Sequence, residues 1–467
     1  MKNINNIIVR GFVCCGLVAV LSTAFTSCRF EDDDYFSESA SLRIEHEATN
    51  VNNLLKGAPN GWVMQYFCAA DEAQFEGFNL FARFDDNGKA TLASDHRLLR
   101  NGKAGIYTEA SSPYEMLKED ALVLAFNVWN DVLTPFSDPV KYWAAPTYIE
   151  KDGVGMYGDH NFVIMSHNDN EIIMRGERHQ AQVRLVKCDR DWQQYIADTE
   201  TLKNTIGGAD IRSYYVTNGE QTLYLDNDGT GTPYLSDAKK KVYGKFRYCD
   251  NLDYKKAVKA DSIACVFTPN GLRFERQETI GDSKFQEFTL NEDKTALVSE
   301  DGTVQIIATW DRHIAERETI WFMDMENLSD ELKQLAADID AALKEANRNQ
   351  SLYRIGIGKS NNGNYVLGLV VEWYTNTRKT SSKRGGVALK RSVPAFGQVK
   401  IEYDPNANID NELRAKAEKV INASRAFAEK LAGTYDVTPE NYFTPSPALF
   451  KDVNGVNQFK LATKLGN

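Results

Sequence analysis

The sequence predicts a mainly β protein with an α+β C-terminal part. Short apolar stretches recur through residues 62–290, and turn residues such as Asn, Asp and Gly separate them. This is the pattern of antiparallel strands joined by tight turns. Helical spacing of apolar residues is strongest after residue 310. Together these observations predict antiparallel meanders that form barrel-like or sandwich β domains, followed by a region that mixes helices and strands.

The first 27 residues have the order of a secretory signal peptide. Lys2 and Arg10 supply a positive start, residues 11–27 carry no charge, and small residues lead to Cys28. The alternative is a transmembrane helix, for which the uncharged run is short and ends in a Ser/Thr-rich third. A cysteine at this place resembles a bacterial lipobox. We therefore expect cleavage and acylation at Cys28, with acyl chains such as palmitate anchoring the mature protein.

An acidic run follows the cysteine, within a predicted tether over residues 28–36. Glu31, Asp32, Asp33 and Asp34 fit a solvated linker, and they also resemble the export signal of Bacteroidota surface lipoproteins. The second interpretation predicts outer-membrane attachment with display on the extracellular face. The expected partners are then the membrane, through the lipid anchor, and outer-membrane transport or surface proteins.

Length and charge limit the remaining possibilities. A chain of 467 residues is long enough for two or three domains with real cores. Its net charge is −11, and the predicted signal carries two basic residues and no acid, so the mature chain is more acidic still. Such a surface does not favour nucleic acid as a partner. The basic stretch at 378–384 lies among Thr, Ser and Gly residues and fits a solvated hairpin loop.

The region 37–204 is predicted to be one helix followed by a β-rich domain. Apolar residues recur at helical spacing over 37–56, and Gly57 and Pro59 end that helix. A second, short helix is predicted at 191–203. Strands are predicted at 62–68, 78–84, 89–93, 121–126, 162–165, 171–175 and 182–185.

The region 205–310 is predicted to be a second β-rich domain. Its predicted strands lie at 214–216, 222–225, 242–248, 263–268, 272–276 and 285–290. The stretch 84–94 resembles 290–299 with one gap, and one explanation is duplication of a β domain. The alternative is a chance likeness between two acidic hairpins.

The region 311–467 is predicted to be α+β. Helices are expected at 328–343 and 413–431, and strands at 353–357, 365–374 and 399–403. The tail from Tyr435 contains Pro439, Pro445 and Pro447 and is expected to be irregular.

Five short motifs stand out within residues 36–310. They are Asn60-Gly61-Trp62-Val63, Gly77-Phe78-Asn79-Leu80 before Phe84, Leu124-Ala125-Phe126-Asn127-Val128-Trp129-Asn130, Phe136-Ser137-Asp138-Pro139 and Ile172-Ile173-Met174-Arg175-Gly176. Together they resemble a family of Bacteroidota lipoproteins known as domain of unknown function 4302. The resemblance implies a surface lipoprotein, often encoded beside outer-membrane nutrient-uptake and metallopeptidase components. It implies no catalytic residue, so none is carried over.

No sequence motif for catalysis or cofactor binding is present. The chain lacks a G-x-S-x-G nucleophile, an HExxH helix, a Walker loop and a dinucleotide-binding glycine pattern. We therefore predict no catalytic residue, no metal and no cofactor. His160, His167 and His179 are interpreted as turn residues rather than metal ligands. The stretch 404–410 spaces oxygen side chains as a calcium loop does, but without its central Gly, so a helix cap is favoured.

The tryptophans and cysteines leave alternatives open. Large aromatic side chains usually belong to a core, but they can also form a sugar-stacking surface; the tryptophans concerned are Trp62, Trp129, Trp143, Trp310 and Trp373. The corner that carries Trp129, Asn130 and Asp138 is our candidate ligand cleft. The cysteines after Cys28 show no zinc spacing, and a Cys249–Cys265 disulfide and buried free thiols both stay open; these cysteines are Cys68, Cys188, Cys249 and Cys265.

These observations favour binding over catalysis. The expected role is ligand capture, or an accessory part in nutrient uptake, at the outer face of the outer membrane. The first alternative is a hydrolase acting on glycans or peptides, whose carboxylates cannot be selected among 65 acidic residues. The second alternative is a structural or adhesive surface protein.

Overall fold

The computed structural model describes most of the chain after residue 38. The described ranges are 39–68, 75–96, 98–99, 102–118, 120–138, 156–207, 213–226, 245–250, 257–258, 260–316, 319–361, 364–443 and 446–463. The predicted signal, Cys28, the acidic run Glu31 to Asp34 and Trp143 lie outside them. Two compact units divide the chain, 1–50 and 51–467. The first contributes the start of helix α1 (Ala40–Lys56), and all that follows concerns the second.

The first barrel contains nine strands in the order β4-β3-β2-β1-β9-β8-β7-β6-β5, every neighbouring pair antiparallel. Its outermost strands, β4 and β5, are separated only by Tyr114, so one bent strand carries both edges and the sheet curls into a barrel-like form. The strands are β1 Trp62–Phe67, β2 Phe78–Phe84, β3 Lys89–Ser94, β4 Thr108–Pro113, β5 Glu115–Lys118, β6 Leu122–Ala125, β7 Asn161–His167, β8 Glu171–Gly176 and β9 Gln182–Lys187.

The second barrel is closed, because its first strand pairs with its last. Helix α2 (Trp192–Ile206) precedes it. The strands are β10 Ser213–Thr217, β11 Thr222–Asp226, β12 Lys245–Cys249, β13 Ala260–Phe267, β14 Gly271–Ile280, β15 Ser283–Leu290, β16 Leu297–Ser299 and β17 Gln305–Ala308.

The third barrel repeats the strand order of the first, β21-β20-β19-β18-β26-β25-β24-β23-β22. Its outermost strands are again consecutive and separated by one residue, Leu389. The strands are β18 Trp321–Met323, β19 Ser351–Lys359, β20 Leu367–Tyr374, β21 Ser382–Ala388, β22 Lys390–Ser392, β23 Gln398–Glu402, β24 Gly433–Pro439, β25 Ala448–Asp452 and β26 Gln458–Ala462. The helices are α3 Trp310–Glu316, α4 Asp330–Ala346, α5 Asn411–Arg414 and α6 Glu418–Lys430.

The predicted fold class is confirmed: antiparallel meanders form barrel-like sheets, and the C-terminal part adds helices to strands. The repetition involves three sheets rather than two. The two similar stretches that suggested it occupy different positions, because 84–94 spans the second and third strands of one barrel and 290–299 the sixth and seventh of another. Their likeness therefore reflects common hairpin chemistry and not equivalent places.

The prediction of an irregular tail is wrong. The tail from Tyr435 contains most of β24, which begins at Gly433, and all of β25 and β26. Pro439 is the last residue of β24, and Pro447 directly precedes β25. A proline at a strand end removes no hydrogen bond from the middle of the ladder, so these prolines are compatible with strands.

The barrel interiors are filled with side chains. In the first barrel, edge-to-face ring contacts join Tyr66 to Phe162 and Phe84 to Tyr114. One continuous apolar cluster runs through the second and third barrels and the helices beside them. Within the described ranges, no helix has both the length and the apolar character needed to cross a bilayer.

Candidate functional site: the cap of the first barrel

The cap of the first barrel is the described part of the connection between β6 and β7, residues 126–138 and 156–160. It lies at the barrel end where β1 finishes. There the Tyr66 hydroxyl donates to the Asp159 carbonyl (3.0 Å) and accepts from the Asp159 N–H (2.7 Å). The chain enters at the opposite end, where the Trp62 indole donates to the Leu55 carbonyl (2.8 Å). The cap therefore faces away from the start of the barrel.

Asn130 closes the open edge of β4. Its Nδ2 donates to the Ala110 carbonyl and to Ser112 Oγ, both at 3.1 Å. Its Oδ1 accepts from the backbone N–H groups of Val132 (3.0 Å) and Leu133 (3.3 Å). The residue is 2% exposed, so its amide replaces a missing strand partner and is not available to a ligand. The third barrel covers the matching edge of β21 with backbone, since Ala388 N donates to the Asn408 carbonyl.

Phe136 and His96 fill the barrel beneath the cap. Phe136 ends a short 3-10 turn and contacts the rings of Tyr66, Phe78 and His96 at centroid distances of 5.0, 4.8 and 4.7 Å. His96 Nδ1 accepts from the Leu98 N–H (3.2 Å), so its proton resides on Nε2, which donates to the Val132 carbonyl (2.7 Å). This end is therefore a packed plug rather than an open apolar calyx.

Trp129 is the part of the candidate cleft that faces solvent. Its side chain is 47% exposed and neighbours Val128, which is 49% exposed. The indole N–H donates to Asp131 Oδ1 at 2.7 Å. Asp138 is half-buried, and its N–H donates to the Thr134 carbonyl. Of the three predicted cleft residues, Trp129 presents a large, oriented aromatic surface and Asn130 faces inward.

The three histidines are not brought together as a metal site. His179 Nδ1 lies 3.1 Å from the Gly158 carbonyl, and its backbone N–H donates to the buried Asp159 carboxylate. That carboxylate also accepts from the backbone of Arg178 and Ala181, so it organises the β8–β9 turn. No group of three metal-ligating side chains occurs within the described ranges.

The calcium-like stretch at 404–410 ends in a helix cap. Asp410 Oδ1 accepts from the Leu413 N–H (2.9 Å) at the start of α5, and Oδ2 accepts from Asn361 Nδ2 (2.9 Å). The capping interpretation is therefore confirmed.

The tryptophans divide between core and surface. Trp62, Trp310 and Trp373 are at most 2% exposed, so the core interpretation holds for them. Two rings on the surface of the third barrel stack on each other: Tyr353 lies 4.4 Å from Tyr374, and Arg354 and Lys379 lie over these two rings. In this stack the ring faces are covered by neighbours.

Two motifs on which the resemblance rests join elements of the fold, a role that sequence reasoning missed. A Cβ on Gly77 would lie 2.4 Å from the Phe67 ring and 2.8 Å from the Cys265 carbonyl, so only Gly allows the first and second barrels to approach there. The carbonyl of Asn60 accepts from the Trp192 indole (2.7 Å), which fixes α2 on the first barrel. The sequence feature that could have indicated this role is Gly77, a glycine next to apolar residues that were predicted to be core.

A surface pocket of about 310 Å³ lies on the second barrel. It is open and polar; its lining residues are Gln277, Lys284, Phe285, Gln286, Glu287, Ser299, Glu300 and Asp301. Asp301 already accepts from Ser299 and Thr303, which lowers its pKa. The third barrel encloses a cavity of about 10 Å³ beside Arg391, the size of one water molecule.

A buried carboxyl lies between the second and third barrels. Asp311 is fully buried, and burial raises its pKa. It accepts hydrogen bonds from the Tyr215 hydroxyl (3.1 Å) and the Gly397 N–H (3.3 Å). It is packed beneath Tyr215 rather than set across a cleft from a second acid, so it does not form the paired arrangement that glycoside hydrolysis uses.

Comparisons with known proteins identify one family. The profile described as "Domain of unknown function (DUF4302)" matches residues 32–292, which is more than half of the chain. No curated protein matches.

The chain also shows weak similarity to solved structures, of which three follow. The beta subunit of DNA polymerase III from Borrelia burgdorferi, in complex with a natural product, is 8% identical over 91% of this chain and 98% of that chain, with a TM-score of 0.12. The beta sliding clamp of C. crescentus is 10% identical over 89% and 92%, with a TM-score of 0.11. The beta subunit from Streptococcus pyogenes is 8% identical over 91% and 98%, with a TM-score of 0.09. Likeness at this level carries no argument about function.

Proposed function

The chain belongs to the family described as domain of unknown function DUF4302, and we propose that it is a lipid-anchored surface protein that binds an extracellular ligand. The site we propose is the cap of the first barrel. The observation that carries the proposal is Trp129, which is half-exposed while its indole N–H is held by Asp131. An aromatic ring that is already oriented loses little conformational freedom when a ligand stacks on it.

The arrangement of the cap supports this proposal. Two hydrogen bonds fasten the cap to the barrel just after Trp129: Asn130 donates to the Ala110 carbonyl, and His96 donates to the Val132 carbonyl. The cap lies at the barrel end opposite to the one where the chain enters.

The role in nutrient capture or uptake belongs to the same proposal. It draws on the expected acylation at Cys28, the expected export signal at Glu31 to Asp34 and the family membership. Among the described residues, no specific observation favours a hydrolase or a purely adhesive role.

A thermal-shift screen tests ligand binding. The protein of residues 31–467 would be screened against neutral oligosaccharides and peptides, because a ligand of the native state raises Tm by mass action. We expect a shift that Trp129→Ala abolishes and that Tyr365→Ala, an exposed aromatic control on the third barrel, leaves intact. A shift that survives Trp129→Ala would place the site elsewhere, and no shift with either ligand class would contradict binding of these classes.

Fractionation of cells tests the anchor. Cys28→Ala should move the protein out of the membrane fraction, and replacing Glu31, Asp32, Asp33 and Asp34 with Ala should protect it from protease added to intact cells. Membrane retention of the first variant would overturn the lipoprotein proposal. Continued cleavage of the second would reduce the acidic run to a tether.

A further inference from the structure

The joint between the first and second barrels is built around a row of polar side chains on the outer face of the first barrel. Gln65 of β1 is the cross-strand partner of both Asn79 of β2 and Arg184 of β9. Cross-strand partners point to the same face of a sheet. Both flanking residues reach the second barrel: Asn79 Nδ2 donates to the Phe267 carbonyl at 2.6 Å, and Arg184 Nη1 donates to Glu287 Oε1. Gln65 therefore lies between two hydrogen bonds that join the first barrel to the second.

Three polar atoms in this joint have no hydrogen-bond partner. They are Gln65 Oε1, Asn79 Oδ1 and Arg273 Nε. Gln65 is only 4% exposed. The Asn79 amide cannot rotate to improve its position, because its Nδ2 is engaged with Phe267. A buried polar group without a partner is costly, and native structures satisfy nearly all such groups.

Arg273 belongs to the same joint from the side of the second barrel. Its guanidinium lies 5.9 Å from the centre of the Phe67 ring, and Phe67 follows Gln65 by two residues on the same face of β1. Its Nε lies 3.3 Å from Glu287 Oε1 as an ion pair, without the alignment of a hydrogen bond. Burial and the neighbouring Arg184 lower the pKa of Arg273 to about 10, which agrees with a desolvated guanidinium.

We propose that the joint holds one bound water molecule, which donates to Gln65 Oε1 and Asn79 Oδ1 and accepts from Arg273 Nε. Two acceptors and one donor match the hydrogen-bonding capacity of a single water, and buried waters typically make about three hydrogen bonds. A metal cation is disfavoured by the two guanidinium groups. An anion is disfavoured by the two amide oxygens. This inference concerns how the barrels are joined and is independent of the ligand proposed for the cap.

A crystal structure of the protein of residues 31–467 at high resolution tests the site directly. We expect a density peak within hydrogen-bonding distance of all three atoms. A dry joint, or amides that satisfy one another directly, would overturn the proposal.

A substitution gives a second test, because the change in Tm has opposite signs for a joint that holds the water and for a dry joint. With water bound, Gln65→Met removes one of the three hydrogen bonds that hold the water, so Tm should fall by about 2–4 °C. With a dry joint, the same change removes a buried unsatisfied acceptor and Tm should rise. Gln193→Met, at an exposed position of α2, is the control and should leave Tm within about one degree. If Gln65→Met fails to fold, the density test decides alone.

Discussion

At the scale of single residues, the buried polar groups of this protein hold loops and edges in place. Asn130 satisfies an open strand edge with its amide, Asp159 collects three backbone N–H groups of one turn, and Asp410 caps α5. Each is almost fully buried. A polar group that is buried and fully hydrogen-bonded specifies one local conformation, and its removal leaves its partners unsatisfied.

The amide of Asn130 is the first such group whose removal we predict to be costly. Asn130→Ala deletes four hydrogen bonds. The Ala110 carbonyl and the N–H groups of Val132 and Leu133 then lose the hydrogen bond that the Asn130 amide made to each. We expect a loss of about 2–4 kcal/mol in the free energy of unfolding, measured by urea denaturation. Asn127→Ala, three residues earlier at an exposed position of the same motif, should change the free energy of unfolding by less than about 0.5 kcal/mol. Equal effects of the two variants would refute the role of Asn130 as an edge cap.

The buried carboxyl of Asp311 should make a contribution to stability that decreases as pH rises. Its pKa in the folded protein is raised above its ordinary value, chiefly by burial, so the native state binds the proton more tightly than the unfolded chain does. Its contribution to stability is therefore present at low pH, and it decreases as pH rises from about 3.9 through the raised folded pKa. The difference in unfolding free energy between wild type and Asp311→Asn should fall across this range and stay level above it. A difference that grows with pH would show that the carboxylate is stabilised instead.

At the scale of elements, the fold depends on how strands bend and how barrels meet. In the first and third barrels a single bent strand carries both sheet edges, and the connection that follows the next strand covers the open edge. The edge is covered by the side-chain amide of Asn130 in the first barrel and by the backbone carbonyl of Asn408 in the third. This cover protects edges that would otherwise offer unpaired N–H and C=O groups to another chain.

Gly77 tests the docking of the first barrel on the second. Gly77→Ala places a methyl group against Phe67, Val266 and the Cys265 carbonyl, and overpacking of this kind costs about 1–3 kcal/mol. We expect lower stability and faster proteolysis between the two barrels than in wild type. Gly88→Ala is the comparison, because its Cβ meets open space and only its positive φ of 73° is strained, at roughly 1 kcal/mol. If Gly77→Ala is the milder change, the barrels can separate freely at this point.

At the scale of the whole molecule, the three barrels are joined in different ways. The second and third share one continuous apolar cluster. The first meets the second through a small apolar contact of Phe67, Ala264 and Val266, surrounded by ion pairs such as that of Arg184 with Glu287. A joint of this kind depends on polar partners as well as apolar area.

The cysteines of the described chain give a prediction for the whole molecule. Cys68, Cys188, Cys249 and Cys265 are buried and do not form disulfides with one another. Cys249 pairs with Ala260, so Cys265 lies five residues farther along β13, roughly 17 Å away at strand rise, beyond the reach of a disulfide. In the protein of residues 31–467, a thiol reagent should label no cysteine in the native state and four after denaturation. Fewer than four labelled thiols in the denatured, unreduced protein would reveal a disulfide.

How much could be predicted differs between the fold and the site. Alternation of apolar residues and the turn residues between them predicted most strands, because these signals act over a few neighbouring positions. Pro439 and Pro447 misled the prediction of the tail, because the cost of a proline depends on whether it occupies a strand end. At the cap, sequence reasoning singled out Trp129, Asn130 and Asp138 but could not assign their directions. Asn130 faces inward because its amide hydrogen-bonds to the edge of β4. That edge is formed by residues about 20 positions earlier, so neighbouring residues in the sequence do not reveal the contact.

The sequence by itself determined the β-rich class, the mixed α+β character of the C-terminal part and the family, and it predicted a lipidated N-terminus. All of these rest on local patterns of charge, hydrophobicity and turn residues. Only the tertiary structure decided that there are three barrels, that the first and third share one strand order, and that Trp129 is exposed above a packed plug. Strand order, burial and the meeting of Gln65 with Arg273 depend on contacts between residues far apart in the chain, which no local pattern encodes.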